Sequence, residues 1–305
     1  MSLPSVAIFN DPRYHALHAP SGARSLVLSH HEGDRLVGSL AGVVHENRFT
    51  SGFSAPFGGV DLERPDETPA RICALVDDVV GQLRDQDVDE ALVRCRPGCH
   101  GAGEDAVRFA LLNAGFAVRE ADLSFTLDLA GLSDASDWLA QRKREFRRAV
   151  RQADPSAFAF GAARDWPHAF GILEANRAAR GRSLSIDLDR VLAVRDAFGD
   201  AVRLAELRHD DVPVAAALTY RASPTAELVV AWGDAGHDLP RSPMPVLVLR
   251  LVERAIAEGL RALDLGTSTL PDPSGRRVPN DGLVQFKRIL GARAELRPVL
   301  ARSFA

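Results

Sequence analysis

The sequence predicts an α+β fold built as two copies of one domain, and three observations carry that reading. Two stretches, residues 24–53 and 201–232, alternate apolar and polar side chains in short runs separated by turn-forming residues, as antiparallel strand meanders do. Each meander is followed by an apolar face of helical period and then by one short strand. Displacing one half along the other by about 176 positions superposes 36–44 on 212–220 and 55–60 on 231–236, a period far above the ~20–50 residues of a solenoid. This order differs from the strict strand–helix alternation of a doubly wound sheet.

In the first half, strands are predicted over 24–28, 35–44 and 48–53, ending on the turn Pro56-Phe57-Gly58-Gly59. Ile72, Leu75, Val76, Val79, Val80 and Leu83 then fall at helical spacing, and 90–94 reads as a strand. Residues 116–129 read as a hairpin or long strand closing this half. Gly131-Leu132-Ser133-Asp134 is turn chemistry ending in a helix N-cap. The predicted domains are therefore 1–131 and 132–305. A single basic helix, 135–153, opens the second and is stopped by Pro155. Strands at 201–207, 212–221 and 226–232 follow, then a helix carrying Val246, Leu247, Leu251, Val252, Ile256 and Leu260. A strand at 262–265, a polar loop at 271–279 and a capped helix from Asn280 to the stop at Gly291 complete the order.

At 305 residues, 46% hydrophobic and 26% charged, the composition excludes disordered, collagen-like and coiled-coil classes. A net charge of −4 argues against a uniformly basic nucleic-acid coat. Cys73, Cys95 and Cys99 make no disulfide framework, residues 1–17 lack a signal-length apolar core, and no run nears the ~18 apolar residues of a membrane span. A cytoplasmic location without a membrane span is expected. Among 37 basic residues only Lys143 and Lys287 are lysine. Codon bias in a GC-rich genome accounts for the arginines, which makes a lone arginine uninformative and a lysine more telling.

No Gly-x-Ser-x-Gly elbow, Walker loop or Gly-x-Gly-x-x-Gly occurs, so serine hydrolases, kinases and dinucleotide enzymes leave the front rank. Cys95-Arg96-Pro97-Gly98-Cys99-His100 resembles half a zinc motif, but no second ligand pair accompanies it. A turn with buried thiols and no metal is expected there. Residues 141–151 gather Arg142, Lys143, Arg144, Arg147, Arg148 and Arg151 around an apolar face of Leu139, Phe146, Val150 and Ala153. That patch is either a solvated amphipathic face or a contact for RNA or nucleotide phosphates. Arg177, Arg180 and Arg182 around Gly181 form a smaller cluster. Leu263-Asp264-Leu265-Gly266-Thr267-Ser268 ends a strand in a polar tip, and Leu283, Phe286 and Leu290 share one face of the next helix. Lys287, four residues after Leu283, points near the core side beside that tip. There an ammonium can serve a phosphate or a developing oxyanion, or simply cover apolar surface.

Phe286-Lys287 followed by Leu290-Gly291-Ala292, with 263–268 on a strand ahead of them, resembles the C-terminal signature of the FemABX-type aminoacyltransferases. These are tandem GNAT proteins that build peptide bonds from aminoacyl-tRNA. Residues 144–149 resemble the basic helix opening their second domain, and Trp232-Gly233 with Ser242-Pro243-Met244 resembles their substrate-proximal turn. Pro56-Phe57-Gly58-Gly59 resembles a turn of their first domain, and Gly115-Phe116 with Leu127-Asp128-Leu129 its end. The resemblance spans nearly the whole chain. It implies two GNAT-like domains, each a mostly antiparallel mixed sheet flanked by helices, with a cleft between them for the acceptor amine. It also implies that Lys287 binds donor phosphate or steadies transition-state charge, with Phe286 packed beside it. The long helical arm of some members has no counterpart, and the chain is shorter than typical cell-wall members.

The expected reaction is attack by the amine of a peptide-like or small-molecule acceptor, a cell-wall precursor or secondary metabolite, on the ester of a charged tRNA, with no separate cofactor. Backbone N–H groups around Ala231-Trp232-Gly233, with Lys287, would hold the oxyanion. Asp234 and Asp264 are base candidates by location, and Ser268, Ser242, Arg177 and Arg180 are expected to contact substrate. The alternative is an acyl-CoA N-acyltransferase on the same fold. GNAT acetyltransferases hold pyrophosphate on the amides of a loop resembling Arg/Gln-x-x-Gly-x-Gly/Ala. The corresponding Asp238-Leu239-Pro240-Arg241-Ser242-Pro243-Met244-Pro245 has no glycine, and its prolines remove amide donors. A catalytically silent binding module is a third reading.

Overall fold

The computed structural model describes residues 7–236 and 239–304. Asp11 caps α1 (Pro12–His18) by accepting the Arg13 amide. The first meander forms β1 (Arg24–Glu32), β2 (Arg35–His45) and β3 (Arg48–Ser51), with β4 (Val60–Leu62) against β2. Thr68 caps α2 (Pro69–Arg84), which buries all six residues predicted for its apolar face. β5 (Glu90–Arg94), α3 (Glu104–Asn113) and β6 (Ala117–Asp128) complete the half.

The single helix expected over 135–153 is instead α4 (Ala135–Ala140) and α5 (Arg144–Ala153). Arg142 causes the break. It turns inward, donating from Nε to Trp138 O (3.0 Å) and from a terminal nitrogen to Leu290 O (2.7 Å), while Lys143 becomes the N-cap of α5. Next come β7 (Phe158–Ala162), α6 (Trp166–Ala178) and α7 (Leu188–Phe198). The second meander forms β8 (Val202–His209), β9 (Val212–Tyr220) and β10 (Ala226–Asp234), followed by α8 (Met244–Ala257) and β11 (Ala262–Thr267). The polar loop expected at 271–279 is closed by a short hairpin of β12 (Thr269–Pro271) and β13 (Arg277–Pro279). The Asp272 carboxylate accepts the Ser274 and Arg276 amides at its tip. α9 (Asp281–Ile289) and β14 (Arg293–Ser303) end the chain.

Apart from the β12–β13 hairpin, the strands form one sheet ordered β1-β2-β3-β5-β14-β6-β11-β10-β9-β8-β7, with β4 against β2. Each half repeats one unit: a three-strand antiparallel meander, a helix, then a strand parallel to the last of the meander. β5 lies parallel to β3 and β11 parallel to β10. The closing strands are exchanged. β6 sets Leu127 beside Leu263 of β11, β14 sets Leu300 beside Val93 of β5, and the two pair with each other at the centre. One continuous sheet therefore runs through both halves.

One core lies under each half, and a third joins them. In the third, Phe9 meets Tyr14 and Phe57 edge-on at 5.2 and 5.0 Å and lies 6.1 Å from Tyr220. Burying rings of this size contributes about 2–3 kcal/mol each, so the halves are held in one relative position. Among the described residues no helix is long and apolar enough to cross a membrane.

Candidate active site

β10 and β11 pair only over 226–228 and 262–264, and a register shift between Val229 and Ala231 turns β10 away. Into this split opens a cavity of about 650 Å³ between the halves. Its floor is residues 229–232 of β10 and 265–267 of β11. The first half contributes Tyr14, His18, the 54–56 turn and Arg94. The second half adds Arg177, Arg182, Arg190 and Arg297, and among the described residues no acidic side chain lines the wall. Arg94 stands 3.9 Å from Glu120, Arg297 3.3 Å from Asp122 and Arg190 3.6 Å from Asp187. Arg177 has no acidic partner among the described residues, and burial and the neighbouring Arg180 and Arg182 hold its pKa below the usual value. A wall this rich in cations, with Arg177 lacking an acidic partner among the described residues, attracts phosphates and carboxylates.

Lys287 reaches this wall from α9. It is 1% exposed, and Nζ donates to Gly266 O (2.8 Å) and Thr267 O (2.9 Å) at the end of β11, 5.6 Å from the centre of the Phe125 ring. Burial pulls its pKa down to about 7, with the Asp264 charge opposing and Arg177 and Arg297 adding to the fall. Phe286 packs edge-on against Trp232 at 5.6 Å, so the indole forms the floor beside Lys287. Sequence reasoning brought these three to one place.

The other expected site residues divide. Arg177 lines the cavity, whereas Arg180 turns back to Asn176 O (2.7 Å). Asp234 lies off the cavity wall, accepting from Asn176 Nδ2 (3.0 Å) and Ser242 Oγ (3.4 Å). Ser242 is thereby tied to Asp234 rather than to the cavity. Ser268 is buried just behind the wall, its amide on Leu123 O (2.8 Å) and its Oγ without a partner. Lys143, Arg144, Arg147, Arg148 and Arg151 remain exposed along α5, but Arg142 belongs to the packing described above. Arg94, Arg190, Arg297, His18 and Tyr220 escaped the sequence reading. Both ring nitrogens of His18 and the hydroxyl of Tyr220 are buried without a hydrogen-bond partner at this wall.

Gly233 fixes how α6 sits on β10. A Cβ there would stand 2.5 Å from Asn176 Cγ. Gly233→Ala should therefore push α6, and Arg177 with it, away from the floor, lowering stability by about 1–3 kcal/mol. Urea unfolding of the variant measures the loss, and an unchanged midpoint would show that α6 yields freely.

Asp264, the other base candidate, is wholly buried. Its Oδ2 accepts from His100 Nε2 (3.1 Å) and its Oδ1 from the Gly266 amide (2.7 Å). Although burial opposes it, the hydrogen bond and charge of His100 keep the carboxyl below its usual range. It ties β11 to the turn after β5 and stands behind the cavity, not on its wall.

Residues 139–288 match the family described as Acetyltransferase (GNAT) domain. Among solved structures the chain is similar to FemX, at 11% identity and a TM-score of 0.72, with 99% of this chain and 94% of that chain covered. It is also similar to L-PGS from Bacillus licheniformis (12% identity, TM-score 0.55, 99% and 96% covered). A DUF2156 domain from Agrobacterium fabrum is a further likeness (14% identity, TM-score 0.53, 87% and 81% covered). Comparison with curated proteins finds no match. Residues 139–288 thus carry the match to a GNAT acetyltransferase domain, and the chain as a whole has the fold of FemX. The fold is the one that the resemblance at residues 263–268 and 286–292 led us to expect.

Proposed function

We propose that the protein transfers an aminoacyl group from a charged tRNA to the amine of an acceptor bearing acidic groups, forming an amide bond. The start of α8 carries the choice of donor. Pro243 stands at its N-cap, Pro245 in its first turn, and the Met244 amide between them is taken by Ser242 Oγ (3.3 Å). A GNAT protein that binds CoA turns the amides of this stretch to pyrophosphate, and here few are left. Asp238, the first residue of the stretch, lies outside the described residues. The exposed cations of α5 suit an RNA backbone instead.

In this reading the acceptor amine attacks the ester carbonyl, the C–N bond forms, and the tetrahedral oxyanion collapses with loss of the ribose oxygen. Lys287 faces the oxyanion. His18 takes the amine proton: burial and Arg190 hold its pKa down, so it is a neutral base at the cavity wall, and the departing oxygen is protonated in turn. The arginines receive the acidic groups of the acceptor. Purified protein is offered charged tRNAs and amines of graded acidity, with and without RNase, and separately acetyl-CoA. RNase-sensitive aminoacylation is expected, and CoA-dependent product would overturn the donor assignment. Arg177→Ala should raise KM for an acidic acceptor about 10–100-fold with little change in kcat, since one charge-assisted contact is lost. An unchanged KM would remove the anion-binding role.

A further inference from the structure

Behind the wall just described, the fold assembles a second cluster that the proposed transfer reaction does not use. Cys99 and His100 lie in the turn between β5 and α3, and Asp264 lies on β11 of the other half. Their ligand atoms all stand within 4.8 Å of one another. We propose that Cys99, His100 and Asp264 form a site for a divalent metal of zinc type, which pins the two halves together.

Three features support it. The donor set is one thiol, one imidazole and one carboxylate, borderline ligands suited to zinc, whose bound atoms stand about 3.5 Å apart in tetrahedral geometry. The thiolate and the carboxylate together cancel the charge of the ion, which matters where His100 and Asp264 are both wholly buried. The surroundings also aim the ligands. Ser223 Oγ lies 3.2 Å from His100 Nδ1 and leaves Nε2 for the metal, while the Gly266 amide and Ser124 Oγ (2.7 and 3.5 Å) hold Asp264 Oδ1 and leave Oδ2. Thr126 Oγ1 stands 3.6 Å from Cys99 Sγ and 2.9 Å from Glu295 Oε1, which takes its proton. Entry is open on the Cys99 side, where a separate cavity of about 910 Å³ is lined by Cys99, His100, Thr126 and Glu295 and can supply a water as fourth ligand. Cys95, whose Sγ turns to Val93 O, takes no part.

On binding, Sγ loses its proton to solvent and forms the metal–sulfur bond. The proton between His100 Nε2 and Asp264 Oδ2 leaves, the neutral ring keeping one proton on Nδ1 toward Ser223 Oγ, and the freed Nε2 and Oδ2 each bond to the metal. Full-length protein, freed of metal with a chelator and then titrated with Co²⁺ and with Zn²⁺, provides the test. One Co²⁺ per chain with a near-ultraviolet thiolate-to-cobalt band is expected, displaced by Zn²⁺. A hundredfold excess of Zn²⁺ over its dissociation constant should raise the melting temperature by about 5 °C. Cys99→Ser should abolish the thiolate band and Asp264→Asn should weaken binding at least ~10-fold, while Cys95→Ser leaves both unchanged. The wild-type titration decides the matter even where a variant fails to fold. No cobalt uptake, or uptake equal in the Cys99→Ser and wild-type proteins, overturns the proposal and leaves a hydrogen-bonded staple.

Discussion

Replacing Lys287 with alanine should lower turnover ~10²–10³-fold with the fold intact, the loss typical of removing one donor from a developing oxyanion. An ammonium carries three N–H groups. Gly266 O and Thr267 O take two of them at 2.8 and 2.9 Å, leaving the third for the cavity. The side chain is thus oriented before substrate arrives. Because burial brings its pKa to about 7, the ammonium loses its charge as pH rises through neutrality, and the wild-type rate should fall along a limb centred there. The acceptor amine, which must be unprotonated to attack, supplies the opposite limb. Lys287→Ala should lack the falling limb, which a merely structural lysine would not produce. Lys287→Met keeps most of the volume and should show the same loss, with circular dichroism and melting confirming the fold. Wild-type turnover in a folded Lys287→Met protein would sink the assignment.

What the sequence revealed, and what it hid, follows from contrast. The two meanders and α2, α8 and α9 were legible because apolar and polar residues alternate sharply at period 2 or 3.6. α6 was harder, since Ala169, Gly171, Ala175 and Ala178 blur its buried face. β14 was hidden by its charged residues and Pro298, because proline is normally excluded from a central strand. The exception has a simple cause: pairing with β5 begins only at Val299, and Pro298 contributes its carbonyl, which accepts the Cys95 amide at 3.0 Å. At the site, Lys287 stood out as one of two lysines. Arg94, Arg190 and Arg297 could not stand out among so many arginines, and only the exchange of closing strands brings Arg297 to the wall. No spacing rule links Cys99 to Asp264 either. Their approach is a product of β6 lying between β14 and β11.

Arg96→Ala should cost about 3–5 kcal/mol of stability, the largest structural effect we expect, because it strands buried carboxylates. Arg96 is 1% exposed. It donates to Gly58 O (3.3 Å), Val60 O (2.8 Å) and Asp61 Oδ1 (2.7 Å), and its Nε lies 3.3 Å from Glu104 Oε1. It therefore braces the turn whose residues 54–56 reach the cavity. Burial lifts the Glu104 carboxyl from the usual 4.5 to about 7, with Arg96 and Arg108 opposing. The folded state thus holds that proton more tightly than the unfolded chain. Its contribution is complete below pH 4.5 and is lost as pH rises through 7. Without Arg96 the rise is larger and the penalty for ionising Glu104 greater. The deficit of Arg96→Ala should accordingly be greatest near pH 8 and shrink toward pH 5.5, as urea unfolding at the two pH values will measure. Adding Glu104→Gln should recover part of the loss at pH 8 and little at pH 5.5. A deficit equal at both pH values would mean that Arg96 acts through its bonds to Gly58 and Val60 alone, and that the charge of Glu104 has no part in holding the turn.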